Sequence, residues 1–328
     1  MKKRICVIGA GYWGKNHIKT LNELDCLYGI VEPKIELQQK NQNQYPNLKI
    51  FSNLEKALED INIDGFILAT PAHTHYSLAK EVIKNHKPIL VEKPFTLNLK
   101  DAHELKELAS INRTNVMVGH VLLFHPAIQK IKEIIDSNKI GKLQYIYSNR
   151  LNLGQIRKEE NVFWSLAPHD ISIFQYITNS FPIKIASNGG DFVQDGVHDT
   201  TITFFEYPEN IKAHIFVSWL HPFKEHRIVV IGSAGMITFD DSIDGKPLKL
   251  YQKGFEVIEG ENLPLKNDGP IEEIQYDKKM PLTEELKYFI NYMDSKFNVS
   301  GIDNAVEVTE ILIKSSEGLN QEVYEFEI

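Results

Sequence analysis

The chain has 328 residues, 42% of them hydrophobic and 24% charged, and its 36 Lys and Arg against 44 Asp and Glu give a formal net charge of −8. That length holds two domains of ordinary size, and the composition is that of a soluble globular protein. No apolar run approaches the roughly 20 residues of a membrane span, and the acidic balance argues against a general nucleic-acid binder, so an anionic substrate has to meet a local cluster of positive groups. Met1 to Arg4 is basic, but only Ile5 to Ala10 of apolar sequence follows, too short for the core of a secretion signal. Cys6 and Cys26 lie in strand-like segments as small buried hydrophobes. They fit a reducing cytoplasm and suggest neither a disulfide framework nor a metal site.

Arg4 to Ile8 predicts a first strand, and Gly9-Ala10-Gly11-Tyr12-Trp13-Gly14 then opens a helix that reaches about Leu24. This is G-x-G-x-x-G between a strand and a helix, the setting in which it binds a dinucleotide. Gly9 permits the tight turn, Gly11 lets the backbone approach a pyrophosphate, and Gly14 lets the helix lie close to the sheet. The phosphates then sit at a helix N-terminus, where N–H groups and the dipole favour an anion. Tyr12 and Trp13 of the same loop are further candidate cofactor contacts. The second strand, Leu27 to Val31, ends in Glu32, placed to accept hydrogen bonds from the adenine-side ribose hydroxyls. An acid there repels a 2′-phosphate, so NAD is expected rather than NADP, with Lys34 close by to soften the preference. Glu32 also suits the start of the next helix as an N-terminal acid.

A small helix closes at Leu58 to Asp64, and Gly65 to Ala69 predicts the next buried strand. It runs into Thr70-Pro71-Ala72-His73-Thr74-His75 and a helix to about Asn85. Thr70 and Pro71 border the cofactor at that strand end. His75 either starts the helix or lines the nicotinamide site. Ile89-Leu90-Val91 predicts a buried parallel strand, stopped by Glu92-Lys93-Pro94 because proline cannot continue the ladder. Lys93 is left at the carboxyl end, the edge of an open α/β sheet where ligands bind. It either caps the strand in water or reaches a reacting group. A helix from about Asn98 to Ser110 and a last strand, Val116 to Val118 before Gly119-His120, complete a doubly wound parallel sheet over residues 1–122.

Gly9 to Gly14, Ala69-Thr70-Pro71 with His75, and Glu92-Lys93-Pro94 resemble the glucose–fructose oxidoreductase/inositol dehydrogenase (Gfo/Idh/MocA) family. The resemblance covers most of the chain and includes Arg227-Ile228-Val229-Val230-Ile231-Gly232-Ser233-Ala234-Gly235. It implies an N-terminal Rossmann domain in which Lys93 sits beside the nicotinamide and the reacting hydroxyl. It also implies that Glu92 belongs to the cofactor-contacting motif and that the Lys93–Pro94 bond is cis.

Residues 123–328 predict a C-terminal α+β domain for substrate binding and oligomerisation. Phe124-His125-Pro126 opens an amphipathic helix to about Ser137, with Ile128, Ile131, Ile134 and Ile135 on one face. Strands are expected at Leu143 to Leu151, Ile183 to Ser187, Thr200 to Glu206, Lys212 to Leu220, Arg227 to Ile231, Met236 to Asp240 and Leu248 to Tyr251. Turn signals such as Tyr207-Pro208-Glu209-Asn210 separate several of them. The result is a largely antiparallel open sheet with helices on one face. The other face, if apolar, drives a homodimer or homotetramer. Gly254 to Lys279 is polar and loop-like, and Thr283 to Ser295 and Asn304 to Glu317 form closing helices.

The chemistry expected of this domain lies in Asn161 to Asp170 and the helix that follows. The resemblance assigns the general base to His169, which suits a group that titrates near neutral pH. The family's aspartates before and after that histidine are Ser165 and Ser172 here. Asp170 is adjacent, but neighbours on a helix do not face each other. Many family members carry an arginine where this chain has Leu123, and His120 is a replacement contact to the substrate. Arg150, Arg157 and Lys158 form either an exposed basic loop or a clamp for a diphosphate, arginine being suited to bidentate contacts. Together with Trp164 to Asp170 and Phe216 to Glu225, this stretch is most similar to the nucleotide-sugar branch of the family. There it resembles the UDP-N-acetylglucosamine 3-dehydrogenases, which supply a 3-keto sugar to an aminotransferase in lipid A synthesis. Trp164, His169 and Asp170 are then substrate contacts. Alternatives are a UDP-N-acetylglucosaminuronate 3-dehydrogenase, an inositol or free-sugar dehydrogenase and, from another class, a NAD-loaded sensor without turnover.

Overall fold

A computed structural model describes residues 2–157, 160–256 and 263–319 of the protein. In chain order its first elements are β1 (Ile5–Ile8), α1 (Gly14–Glu23), β2 (Leu27–Val31), α2 (Ile35–Gln44), β3 (Lys49–Phe51) and α3 (Leu54–Leu58). They continue with β4 (Gly65–Leu68), α4 (His75–Lys84), β5 (Ile89–Val91), α5 (Leu99–Ile111) and β6 (Val116–Val118). The six strands are ordered β3-β2-β1-β4-β5-β6 and every neighbouring pair is parallel. Helices cover such a sheet on both faces, which is why β1, β4, β5 and β6 are unbroken apolar runs, buried along their whole length.

The strand order reverses between β1 and β4, and nucleotides bind at the carboxyl ends of strands beside such a switch point. The first residue past each strand still donates to its neighbour. Gly9 N–H reaches the Val31 carbonyl, Ala69 that of Ile8, Glu92 that of Leu68 and Gly119 that of Val91, all at 2.8–2.9 Å. These bonds hold the glycine turn, the Thr70-Pro71 turn, the Glu92-Lys93-Pro94 turn and the Gly119-His120 turn along one edge.

The remaining elements are α6 (Pro126–Asp136), β7 (Leu143–Leu153), α7 (Val162–Thr178), β8 (Lys184–Gly190), β9 (Thr200–Glu206) and β10 (Lys212–Ser218). β11 (Leu220–Gly232), β12 (Met236–Asp240), β13 (Leu248–Glu256), β14 (Leu265–Glu273), α8 (Pro281–Tyr292) and α9 (Ile302–Gly318) complete the chain. Eight strands, ordered β14-β13-β12-β11-β7-β10-β9-β8, form the second sheet, antiparallel except between β7 and β10. Residues alternate along β9 and β10, turning Ala213, Ile215, Val217 and Phe205 inward. The opposite face carries aromatic side chains: Tyr147 stacks on His214 with centroids 5.0 Å apart, and Phe204 is exposed beside them.

Two expectations are corrected. Residues 254–279 are not simply a loop, because β13 runs to Glu256 and β14 pairs along it. β14 contains Gly269 and Pro270 and almost all of it is exposed, so no alternation marks it; charge and proline are how an edge strand avoids pairing with other chains. The domain division also differs from a single boundary near residue 122. The compact units are Met1–Phe124 with Lys279–Glu310, and His125–Lys278 with the chain from Ile311 onward. The reason is packing. Leu286 and Phe289 of α8 and Met293 just after it are fully buried, and a side chain at Gly65 would meet Met293 and Phe289, so the end of α8 seals the start of β4. Ser300 donates to the Val118 carbonyl, and Ala305 and Val306 join the core formed by β1, β4, β5 and their helices. Replacing Phe289 with Ala is expected to destabilise the first unit by about 3–5 kcal/mol, the range for emptying a buried aromatic site. Chemical denaturation with and without NAD measures this, since NAD raises the transition of the unit that binds it.

Candidate active site

The glycine loop has the backbone geometry that its residues predict. Gly9 sits at φ +93°, and a Cβ there would lie 2.8 Å from the Ala69 carbonyl oxygen and from a Thr70 methyl. A Cβ on Gly14 would fall 2.0 Å from the Gly9 carbonyl oxygen, so only glycine lets α1 start this close to the turn. Around Gly11, in contrast, nothing lies within 4 Å of where a Cβ would be. That open approach fits a pyrophosphate, and no side chain caps the first turn of α1 at Trp13. Tyr12 is exposed with the Lys15 ammonium 4.9 Å from its ring centre. Glu32 is buried at the end of β2, accepting from the Ala10 and Lys34 backbone N–H groups at 2.9 Å each. Its charge is thereby fixed beside the loop, where it can take ribose hydroxyls and disfavour a 2′-phosphate. These residues fit NAD.

Thr70 packs against Gly9 and its hydroxyl lies 2.6 Å from that of Thr74, while the Pro71 carbonyl accepts from Thr74. His75 is the first residue of α4, one of the two places expected of it. Its ring is 1% exposed, with Nδ1 2.8 Å from the Pro94 carbonyl oxygen and Nε2 2.9 Å from that of Thr70. Each nitrogen faces a backbone carbonyl and a neutral imidazole donates to one of them, so the ring sits between the Lys93–Pro94 turn, whose peptide is cis, and the turn after β4. Burial pushes its pKa below the ordinary histidine value.

Glu92 is the centre of the first unit's polar interior. It is 8% exposed, and its Oε1 accepts from the Trp13 indole N–H and from His17 Nε2, the latter at 2.6 Å. Its Oε2 lies 3.2 Å from the Lys93 backbone N. Burial alone would raise its pKa, but His17, Trp13 and the Lys93 ammonium outweigh that and hold it below the usual carboxylate range. Gly119 leaves room for it, since a Cβ there would stand 2.9 Å from Oε2. Two neutral groups complete the surroundings. His120 is buried and its pKa is pushed down to about 4 by desolvation, against the pull of Glu92. Glu285 of α8 is fully buried, and desolvation together with the Glu92 charge raises it well above the ordinary value. Glu92 and Trp13, expected as cofactor contacts, are thus first of all bonded to each other. Lys93 is half-buried at the end of β5.

In the second unit, α7 begins at Asn161, whose side chain accepts from the Trp164 N–H. Pro168 lies inside this helix, immediately before His169. His169 is partly exposed, and the Ser172 hydroxyl donates to its carbonyl at 2.8 Å, a contact with backbone. Ser165 is buried. The Trp164 indole N–H donates to Ser316 at 2.8 Å, which fixes the ring from the helix α9 side.

The diphosphate clamp is corrected. Arg150 is 7% exposed and grips Asp170, itself 0% exposed, through two bonds of 2.7 and 2.9 Å. Its bidentate face is therefore taken inside the protein, and Asp170 is a partner of Arg150 rather than a group presented to substrate. The pair ties α7 to β7. Desolvation opposes the Arg150 charge, but Asp170 and Asp241 more than offset it and raise its pKa. His226, 3.5 Å from the guanidinium, is driven down to about 3 by burial and by Arg150. Arg157 is exposed and paired with Glu160. Lys158 lies outside the described residues.

Sequence reasoning missed His17, Glu285 and His226. His17 carried one signal: it follows Gly14 by one helical turn, with Ile18 and Leu21 on the buried side of α1. Among the described residues no group of three or more His, Cys, Asp or Glu is arranged to hold a metal ion, and no helix is long and apolar enough to cross a membrane.

Comparison with known proteins adds to this geometry. The family described as "Oxidoreductase family, NAD-binding Rossmann fold" matches residues 3–120, and the "GFO/IDH/MocA C-terminal domain" matches residues 128–238. The first unit thus carries an NAD-binding Rossmann fold. UDP-N-acetylglucosamine 3-dehydrogenase of Acidithiobacillus ferrooxidans is 23% identical over 291 residues, covering 88% of each chain. The scyllo-inositol 2-dehydrogenase (NAD(+)) of Bacillus subtilis is 28% identical over 193 residues, covering 56% of this chain and 56% of that protein. The solved structure of the A. ferrooxidans enzyme superposes with a TM-score of 0.84 at 20% identity, over 97% of this chain and 98% of that one. At that identity the likeness is one of fold.

The buried ion pair of the second unit yields a direct test. Asp170→Ala alone is expected to cost about 3–5 kcal/mol, because it strands a buried guanidinium. Replacing both partners, Arg150→Met with Asp170→Leu, should recover most of that loss in chemical denaturation.

Proposed function

Because the chain belongs to the Gfo/Idh/MocA oxidoreductase family, we propose that it oxidises the 3-hydroxyl of UDP-N-acetylglucosamine to the 3-keto nucleotide sugar. Family membership makes it an NAD-dependent sugar oxidoreductase; the particular sugar and carbon are our reading. The observation that carries it is the reach of the match to the A. ferrooxidans enzyme, through 88% of both chains. The product would feed an aminotransferase. In this reading the protein acts as a homo-oligomer joined through the aromatic sheet face.

NAD, when bound, supplies the hydride acceptor. The glycine loop holds its phosphates and Glu32 its ribose. The Lys93 ammonium hydrogen-bonds the substrate oxygen and stabilises the charge that develops there. His169 takes the hydroxyl proton. Ser165 and Ser172 leave that imidazole without the family's carboxylates, so its basicity rests on other contacts.

An inositol or free-sugar dehydrogenase is the second reading. It is favoured by Arg150, whose bidentate face is held by Asp170 and is not available for a diphosphate.

The test is reduced-nicotinamide formation by the purified protein with NAD, offered UDP-N-acetylglucosamine, its uronate, scyllo-inositol and myo-inositol in turn. Turnover of UDP-N-acetylglucosamine in preference to the others is expected; turnover of an inositol alone contradicts the proposal. Lys93→Ala should lower kcat by about 10²–10⁴-fold with NAD affinity little changed. A protein that binds the sugar nucleotide yet forms no reduced nicotinamide is a sensor instead.

A further inference from the structure

We propose that His17 and Trp13 are positioning residues that act through Glu92, fixing its carboxylate as an anion next to Lys93 so that Lys93 is held as the ammonium. The inference rests on the preceding reading only for the use to which the ammonium is put.

A carboxylate this far from water keeps its charge only if donors and a cation surround it. Oε1 of Glu92 has both a ring N–H of His17, at 2.6 Å, and the indole N–H of Trp13. Both come from one place, the start of α1. The missing side chain at Gly14 lets α1 lie against the Gly9 turn, and His17, one turn later, is carried beneath the end of β5 with 0% exposure.

Three further titratable groups interact with Glu92 and leave this assignment intact. His75, at the start of α4, is pushed below the ordinary histidine value by burial, against the pull of Glu92. His120, from the end of β6, is neutral near physiological pH because burial depresses it to about 4. Glu285, from α8, is raised by burial and by Glu92 itself, so it does not compete as a second anion. Lys93 is the remaining cation of the set, and its charge is among those that lower Glu92. The interaction is mutual: a charged Glu92 favours the charged form of Lys93 by the same coupling. Trp13 sits in the glycine loop, so the segment that faces the cofactor's phosphates also bonds the acid beside the catalytic lysine.

The experiment reads Lys93 itself and uses no sugar. Lysines are reductively methylated with ¹³C-formaldehyde, the Lys93 signal is identified by its loss in Lys93→Arg, and its chemical shift is followed with pH. Wild type is compared with Glu92→Gln, His17→Leu, His17→Gln and Trp13→Phe, each checked for folding by circular dichroism and chemical denaturation. Glu92→Gln and His17→Leu are expected to lower the Lys93 midpoint by about one unit or more, the effect of losing a close opposite charge. His17→Gln, which keeps a donor, should restore most of the shift, and Trp13→Phe should fall between. A midpoint in Glu92→Gln equal to wild type overturns the proposal. A lowered midpoint in Glu92→Gln with His17→Leu and Trp13→Phe unchanged removes the role of both residues. If His17→Leu does not fold, His17→Gln and Trp13→Phe still decide between these outcomes. Because no substrate is present, failure of the UDP-sugar reading in the turnover assay leaves this result separate.

Discussion

A carboxylate removed from water must be surrounded by donors, and Glu92 draws its own from several parts of the first unit. Trp13 and His17 come from the start of α1, Gly119 makes room at the end of β6, and α8 brings a second acid, Glu285, that stays neutral. The His75 ring sits between the turn that follows, Lys93–Pro94, and Thr70. The carboxyl edge of the sheet is therefore a connected polar structure behind the glycine loop. Its geometry is set by which groups are allowed to be charged.

The second unit solves the same problem with an ion pair. Arg150 and Asp170 are both buried and satisfy each other through two bonds. Such a pair contributes little net stability compared with an apolar core, yet losing one partner is costly, so it fixes the position of α7 on β7 firmly. His169 is the residue before Asp170, and the ion pair therefore determines where the backbone of the expected base lies. His226 stays neutral beside the guanidinium and does not add a competing charge.

Much of this was legible in the chain itself, for physical reasons. β1, β4, β5 and β6 read as apolar runs, whereas β3 is three partly exposed residues and left no such signal; the glycine loop is recognisable because its three constraints fall within six consecutive residues. A Cβ at Gly9 or Gly14 would collide with neighbouring backbone, and one at Gly11 would meet nothing within 4 Å. The partners of Glu92 were not legible, because Trp13, His17, Gly119 and Glu285 are brought to it only by the fold. Arg150 looked like a surface clamp for the same reason: nothing in its local sequence shows Asp170 facing it across the helix–strand packing. β14 escaped because an exposed edge strand has no apolar face to alternate, and α8 was assigned to the second domain because chain order hides its return to β4.

The most direct measurement is a crystal structure of the protein with NAD bound. The account predicts the pyrophosphate against Gly11 at the start of α1, the adenosine ribose on Glu32, and Glu92 still bonded to Trp13 and His17 beside Lys93. A structure in which Glu92 leaves His17, or in which the pyrophosphate avoids the glycine loop, would contradict it.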